Sequence, residues 1–299
     1  MTSTDPANHQ SDYDFSKDYW ANIDASIDGV LGGHGHLHSL DISSNDSFLK
    51  RMLSKHAPQF TSKTNDSQRS EDTDYALREK TLSAEIHTHC NDRSVLDCGA
   101  GIGRISTSLL SRHFDIIDLL EQNANFLQCA RQHASEPSNP LHGKLQKTIC
   151  KGLQDFSASK EQVVGRYSVI WIQWVLLYLF DDDLIAFLRQ CVEALQTETG
   201  APRLIFVKEN ILKASRSASA SHRYMASKGA SSASVKTEEF DDTDHSLTRS
   251  DQAYKRLFAM ADLELLGEQE QIGFDSSLLP VRMYCLRPKN VASNTGPSK

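Results

Sequence analysis

From residue 94 onward, short apolar runs alternate with segments whose apolar residues recur every three or four positions. That alternation is the mark of strands and helices wound into a mostly parallel sheet. Strands are expected at residues 94–97, 115–120, 144–150, 167–174 and 203–208, with helices over 103–111, 125–133 and 184–195 between them. Asp181, Asp182 and Asp183 sit where the first turn of the last helix would be, favourable to its dipole. Ser246 or Thr248 is expected to cap a helix running to Ala261, and residues 263–271 and 281–287 read as two closing antiparallel strands. Upstream, Ile42, Phe48, Leu49, Met52 and Leu53 share one face of a helix over residues 41–53, with Ser43 or Ser44 as its N-cap. A further helix is expected over residues 75–89. The fold class that follows is α/β: a doubly wound, seven-stranded Rossmann-like sheet with an N-terminal helical extension.

Polar stretches divide this pattern. Residues 1–14 and 289–299 read as disordered tails, 15–56 as a helical and lid-forming extension, and 57–74 as a disordered insertion. The main domain then covers residues 75–288, with a second, Ser- and Ala-rich insertion at 213–236. The six cysteines form no CxxC pair, and the N-terminus carries no apolar leader, which points to a reducing compartment. A net charge of −7 argues against nucleic acid as a partner, and no apolar run is long enough to span a membrane.

Candidate chemistry concentrates at Val95-Leu96-Asp97-Cys98-Gly99-Ala100-Gly101-Ile102-Gly103-Arg104, a buried strand breaking into a glycine turn. Gly99, Gly101 and Gly103 let the backbone turn tightly and approach a ligand, and the next helix aims its free N–H groups over the turn. Glu121 closes the second strand about twenty residues on, where a carboxylate accepts both hydroxyls of a ribose. Arg104 has the fork geometry to clamp a carboxylate. One carboxylate, one diol and no phosphate describe S-adenosylmethionine better than a dinucleotide. Asp28-Gly29-Val30-Leu31-Gly32-Gly33-His34-Gly35-His36 reads as a glycine-rich loop able to close over a substrate. His34, His36 and His38 alternate, yet no carboxylate or cysteine stands at ligand spacing, so no metal is assigned.

In several ordered blocks the chain closely resembles the eukaryotic protein N-terminal (α-N) methyltransferases of the Xaa-Pro-Lys type. The blocks are Tyr19-Trp20, the Asp28-Gly29-Val30-Leu31-Gly32-Gly33 run, the glycine turn, and Gly152-Leu153-Gln154-Asp155-Phe156. Val169-Ile170-Trp171-Ile172-Gln173-Trp174-Val175, Lys208-Glu209-Asn210 and Asp241-Asp242-Thr243-Asp244 complete them. The resemblance implies a class I methyltransferase fold and S-adenosyl-L-methionine as cofactor, bound through Gly99, Gly101, Arg104, Glu121, Leu153, Gln154 and Gln173. It implies protein N-termini beginning Xaa-Pro-Lys/Arg as substrates, ribosomal proteins among them, and cytoplasm and nucleus as locations. Trp20, Leu31, Trp174, Asn210, Asp241, Asp244 and Ser246 match the substrate contacts, with Trp174 packing the second-position proline. Asp244, Tyr178 and Asn210 match the catalytic positions. Where the family commonly has a histidine as a second proton acceptor, this chain has Tyr178.

The chemistry agrees with that assignment. An α-amine has a reference pKa of about 7.7–8.0, against about 10.4 for lysine, so it needs little help to lose its proton near neutrality. Tyrosine, with a reference pKa near about 10, is a poor base there. Tyr178 is therefore expected to orient the amine while Asp244 takes the proton. Two other classes fit parts of the pattern: a small-molecule amine methyltransferase, and a cofactor-binding scaffold without turnover.

Overall fold

The computed structural model describes residues 6–62, 93–198, 200–213 and 237–289. The expected helix at 75–89, the insertion residues 63–74 and 214–236, and the tail from 290 on lie outside the described residues. Five parallel strands form the heart of the fold: β1 (Ser94–Cys98), β2 (Ile116–Leu120), β3 (Leu145–Ile149), β4 (Val169–Gln173) and β5 (Leu204–Asn210). After the short antiparallel pair β6 (Glu238–Asp241) and β7 (Ser246–Arg249), two long strands, β8 (Leu263–Glu270) and β9 (Val281–Pro288), extend the sheet. The order is β3-β2-β1-β4-β5-β9-β8, with β9 antiparallel to both its neighbours. The chain winds one way from β1 to β3 and the other way from β4, so the crevice beyond the ends of β1 and β4 is the switch point where such sheets bind ligands.

The period of two along the strands separates two apolar layers. On β4, Ile170 and Ile172 face one layer with Ile205 and Val207 of β5. Val169, Trp171, Leu204 and Phe206 face the other. The first layer is covered by α7 (Asp181–Ala194) and α8 (Asp251–Met260), the latter N-capped by Ser250. The second is covered by α5 (Arg104–Ser108), α6 (Ala124–Ser135) and the N-terminal helix α3 (His38–His56). Phe48 of α3 meets Phe206 edge-on at 5.9 Å. Burying side chains of this size contributes about 1.5–3 kcal/mol each, which fixes α3 on the sheet without help from helix propensity.

Four expectations are corrected. Residues 6–14 are no loose tail: they belong to α1 (Pro6–Ala21). Its Tyr13, Ser16 and Trp20, spaced three and four apart, make polar contacts with the domain. The first described residues of the 57–74 insertion form a helical turn, α4 (Pro58–Ser62). The α3 helix starts at His38, which leaves Ser43 and Ser44 inside it. Ser246 and Thr248 lie in β7, because the acidic run before them turns back as a hairpin, and the cap falls to Ser250.

Candidate active site

A cleft opens at the switch point, where open α/β sheets bind their ligands. Its floor is the turn Gly99–Ala100–Gly101 leaving β1. Gly99 and Gly101 have φ of +66° and +56°. A Cβ on Gly99 would lie 2.6 Å from the Cβ of Val175, so only glycine lets the β1 and β4 turns close on one another. Val30 of α2 (Ile27–Val30) covers the turn from above; its Cγ1 is 3.7 Å from where a Gly101 Cβ would stand.

At one end, Glu121 is held by backbone. Its Oε2 accepts the Gly101 N–H at 2.9 Å and its Oε1 the Asn123 N–H at 2.8 Å. Burial raises its pKa against those hydrogen bonds. A carboxylate oxygen accepts more than one hydrogen bond, so the group can still take a diol's hydroxyls. Leu153, Gln154 and Phe126 continue this end as a partly apolar wall. Asp97, beneath the turn, accepts from Ser106 Oγ at 2.7 Å, and burial pushes its carboxyl up to about 7.

Under the other end lies a buried polar network whose centre is Asp41 of α3. Arg104 Nη1 donates to Asp41 Oδ2 at 2.7 Å, and Lys208 Nζ donates to Oδ1 at 2.6 Å. Gln173 Nε2 reaches both Asp41 oxygens at 3.1 Å, while Gln173 Oε1 accepts from Asn45 Nδ2 at 3.0 Å. Burial works against the Asp41 carboxylate, but Lys208 and Arg104 outweigh it and hold its carboxyl below the usual range. His38 Nδ1 stands 3.2 Å from Arg104 Nη1 and Nε2 3.3 Å from Ser108 Oγ. Since the guanidinium only donates, Nδ1 accepts and Nε2 carries the proton. Burial and Arg104 both lower the pKa of His38.

The third part of the cleft is built by the turn after β4. Trp174 has φ +54°, a left-handed backbone that costs a non-glycine residue about 1–3 kcal/mol. Three bonds hold it there: Trp174 N–H to Lys208 O at 2.9 Å, and Val175 and Leu176 N–H to Glu209 Oε1 at 2.9 and 2.7 Å. Fully buried Arg249 takes the other side, donating to Leu179 O at 2.6 Å and pairing with Asp181. So fastened, the turn presents the Trp174 indole to the cleft, with its Nε1 buried and without a partner among the described residues. It also presents Tyr178, whose hydroxyl donates to Asp244 Oδ2 at 2.7 Å. Burial and the Asp244 carboxylate push the phenol far above its ordinary value, so it stays protonated. Trp20 of α1 meets Tyr178 edge-on at 6.1 Å. Asp244 itself is held by Ser16 Oγ on its carbonyl at 2.8 Å and by Ser246 N–H on Oδ1 at 3.0 Å.

Gly99, Gly101, Arg104, Glu121, Leu153, Gln154, Gln173, Trp20, Trp174 and Tyr178 all line this one cleft, and Asp244 joins it through Tyr178. Ser246 is buried behind Asp244. Asn210 ends β5 beside the clamped turn. Leu31 caps α2 and does not line the cleft; its neighbour Val30 does. Asp241 is exposed, and its Oδ1 shapes the hairpin by accepting the Thr243 N–H at 2.8 Å. The loop expected at residues 28–36 forms short helical turns tied by Asp28 Oδ1 to the Gly35 N–H at 2.9 Å. Asp41, Lys208, Glu209 and Arg249 are the residues that sequence reasoning missed. For Asp41 and Arg249 the sequence signal was charge at positions where the strand or helix pattern expects burial; Lys208 and Glu209 also stand in a block of the family resemblance, which gave them no role.

Comparisons with known proteins agree with this geometry. Residues 8–68, 75–221 and 224–287 match the family described as AdoMet dependent proline di-methyltransferase. An alpha N-terminal protein methyltransferase 1 of Arabidopsis thaliana is 33% identical over 269 residues, covering 90% of this chain and 76% of the relative. The N-terminal Xaa-Pro-Lys N-methyltransferase 1 of Mus musculus is 31% identical over 287 residues, 96% of this chain and all of the relative. Among solved structures, a SAM-dependent methyltransferase of Leishmania major superposes with a TM-score of 0.64 at 26% identity, over 92% of this chain and 83% of that one.

Proposed function

Because the chain belongs to the AdoMet-dependent proline di-methyltransferases, we propose that it methylates the α-amine of protein N-termini of the Xaa-Pro-Lys/Arg type. The observation that carries this reading is the Tyr178–Asp244 pair, joined at 2.7 Å beside two indoles and opening on the glycine-turn cleft. A carboxylate and an aromatic wall suit a cationic amine followed by a proline ring. Proteins of the ribosome that begin with such sequences are the substrates to test first.

The residues present fit S-adenosylmethionine as cofactor. Glu121 can still take the hydroxyls of a ribose, and Arg104 uses only Nη1 toward Asp41 and His38 among the described residues, which leaves its Nη2–Nε edge for a carboxylate. When bound, that cofactor supplies an electrophilic methyl group on a sulfonium sulfur. The chain's own task is to deliver an uncharged amine in line with it. Trp174 and Trp20 hold the peptide start and exclude water, and positioning of this kind can supply about 7–11 kcal/mol of a barrier. Tyr178 stays protonated and accepts or donates a hydrogen bond without taking the proton. Asp244 Oδ2 receives the amine proton, directly or through water.

The test is mass spectrometry of short peptides beginning Ser-Pro-Lys and Pro-Pro-Lys after incubation with enzyme and cofactor. Added methyl groups at the α-amine are expected, and none on the same peptides with an acetylated terminus. Methylation of small amines with these peptides left untouched would overturn the reading.

A further inference from the structure

Lys208 has no access to the cleft, yet it sits at the junction that decides how much charge Arg104 presents there. The side chain is buried on β5 and its Nζ donates to three oxygens: Asp41 Oδ1 at 2.6 Å, Asn45 Oδ1 at 2.8 Å and Gln271 Oε1 at 2.7 Å. Three acceptors require three N–H bonds, which only the ammonium form has. The acceptor assignments are fixed by the rest of the network. Asn45 Nδ2 is spent on Gln173 Oε1, and Gln271 Nε2 on Ser44 Oγ and Ile272 O, so both amides must turn their oxygens to Lys208. Burial pulls the pKa of Lys208 down while Asp41 pulls it up, and the donor count decides for the cation.

Three charged groups therefore meet with one carboxylate between two cations, and His38 adds none, its Nδ1 being an acceptor. The bonded cluster keeps one net positive charge. The Trp174 ring lies over both cations, its centroid 5.7 Å from the Arg104 guanidinium carbon and 5.6 Å from Lys208 Nζ. Without Lys208, the whole charge of Asp41 would fall on Arg104 and close it into a neutral pair.

We propose that Lys208 is a positioning residue for the cofactor: by occupying Asp41, it leaves Arg104 with uncompensated positive charge toward the carboxylate of the cofactor's amino-acid end. The inference rests on the cofactor reading above and goes beyond it, since Lys208 touches neither cofactor nor peptide. It also gives α3 a function besides packing, because Asp41 and Asn45 bring the two cations into register from outside the sheet.

The test measures binding by calorimetry of two probes that differ at the relevant end: S-adenosylhomocysteine, which has the amino-acid group, and 5′-methylthioadenosine, which lacks it. Wild type, Lys208→Met and Lys208→Gln are compared. Both variants are expected to bind S-adenosylhomocysteine about tenfold more weakly, as removal of one nearby charge at intermediate dielectric implies. Binding of 5′-methylthioadenosine is expected to stay within about twofold, which also reports that the fold is intact. Unchanged affinity for S-adenosylhomocysteine would overturn the proposal. So would a parallel loss of both probes in both variants, which would make Lys208 a scaffold residue only. Failure of the wild-type protein to bind S-adenosylhomocysteine would instead count against the cofactor reading.

Discussion

The two halves of the cleft are held by different means. The cofactor half is made from strand ends and the turns between them, and its polar groups are fixed by buried partners: Glu121 by two backbone N–H groups, Arg104 by Asp41. The amine half is gathered from α1, the turn after β4 and the β6–β7 hairpin, and its central pair, Tyr178 and Asp244, is only partly buried. The first is rigid because a sheet imposes it. The second exists only while three separate pieces stay docked. A methyl donor has one shape and permits a preformed seat, whereas a protein terminus must enter and leave with its chain attached.

Substitutions can break that contrast, in order of size. Asp244→Lys should lower kcat on a Pro-Lys peptide by at least about a hundredfold, the usual scale of general acid–base help, while calorimetry finds cofactor affinity unchanged. A loss of both together would mean that the halves are not separable. Asp41→Ala, on the rigid side, strands two buried cations and should cost about 3–5 kcal/mol in denaturant unfolding. Glu121→Ala removes a charged acceptor worth about 1.5–3 kcal/mol, so the Kd for cofactor should rise about ten- to a hundredfold with kcat at saturation little changed. Tyr178→Phe should lower kcat about tenfold, as one lost hydrogen bond predicts, without moving the rising limb of the pH–rate profile near the amine pKa of about 8. A shifted limb would make the tyrosine a proton acceptor after all.

A separate effect concerns pH and the clamp that joins the halves. Burial pushes Glu209 up to about 8, so the folded state holds its proton more tightly than the unfolded chain does. Its contribution to stability is complete below the ordinary carboxyl pKa and declines as pH rises toward about 8. Glu209→Gln should flatten that part of the stability–pH curve, measured by unfolding at pH 5 and pH 8.

What was legible in the sequence follows the same division. The glycine turn, Glu121 and the succession of strands along the chain announce themselves because their physics is local: a strand, a turn and an acid at fixed spacing. The Asp41–Lys208 pair joins residues 167 positions apart, and no periodicity reports such a contact. Helix α1 was hidden for another reason. Its docking face offers a phenol and a hydroxyl as donors rather than an apolar stripe, so it reads as solvated. The hairpin at the acidic run before β7 was not expected either, since a backbone ladder and the Asp241 side chain hold it with no apolar alternation to announce a strand.

Arg249 has one more consequence. Its carbonyl accepts the Leu212 N–H at 3.0 Å and its neighbour Ser250 donates to Thr237 O at 2.7 Å, so the chain departs after β5 and returns before β6 at a single riveted point. Whatever length of polypeptide is strung between those rivets, doubling it adds only about 0.6 kcal/mol of closure entropy. A change in the length of that span is thus expected to leave the chamber a few residues away undisturbed.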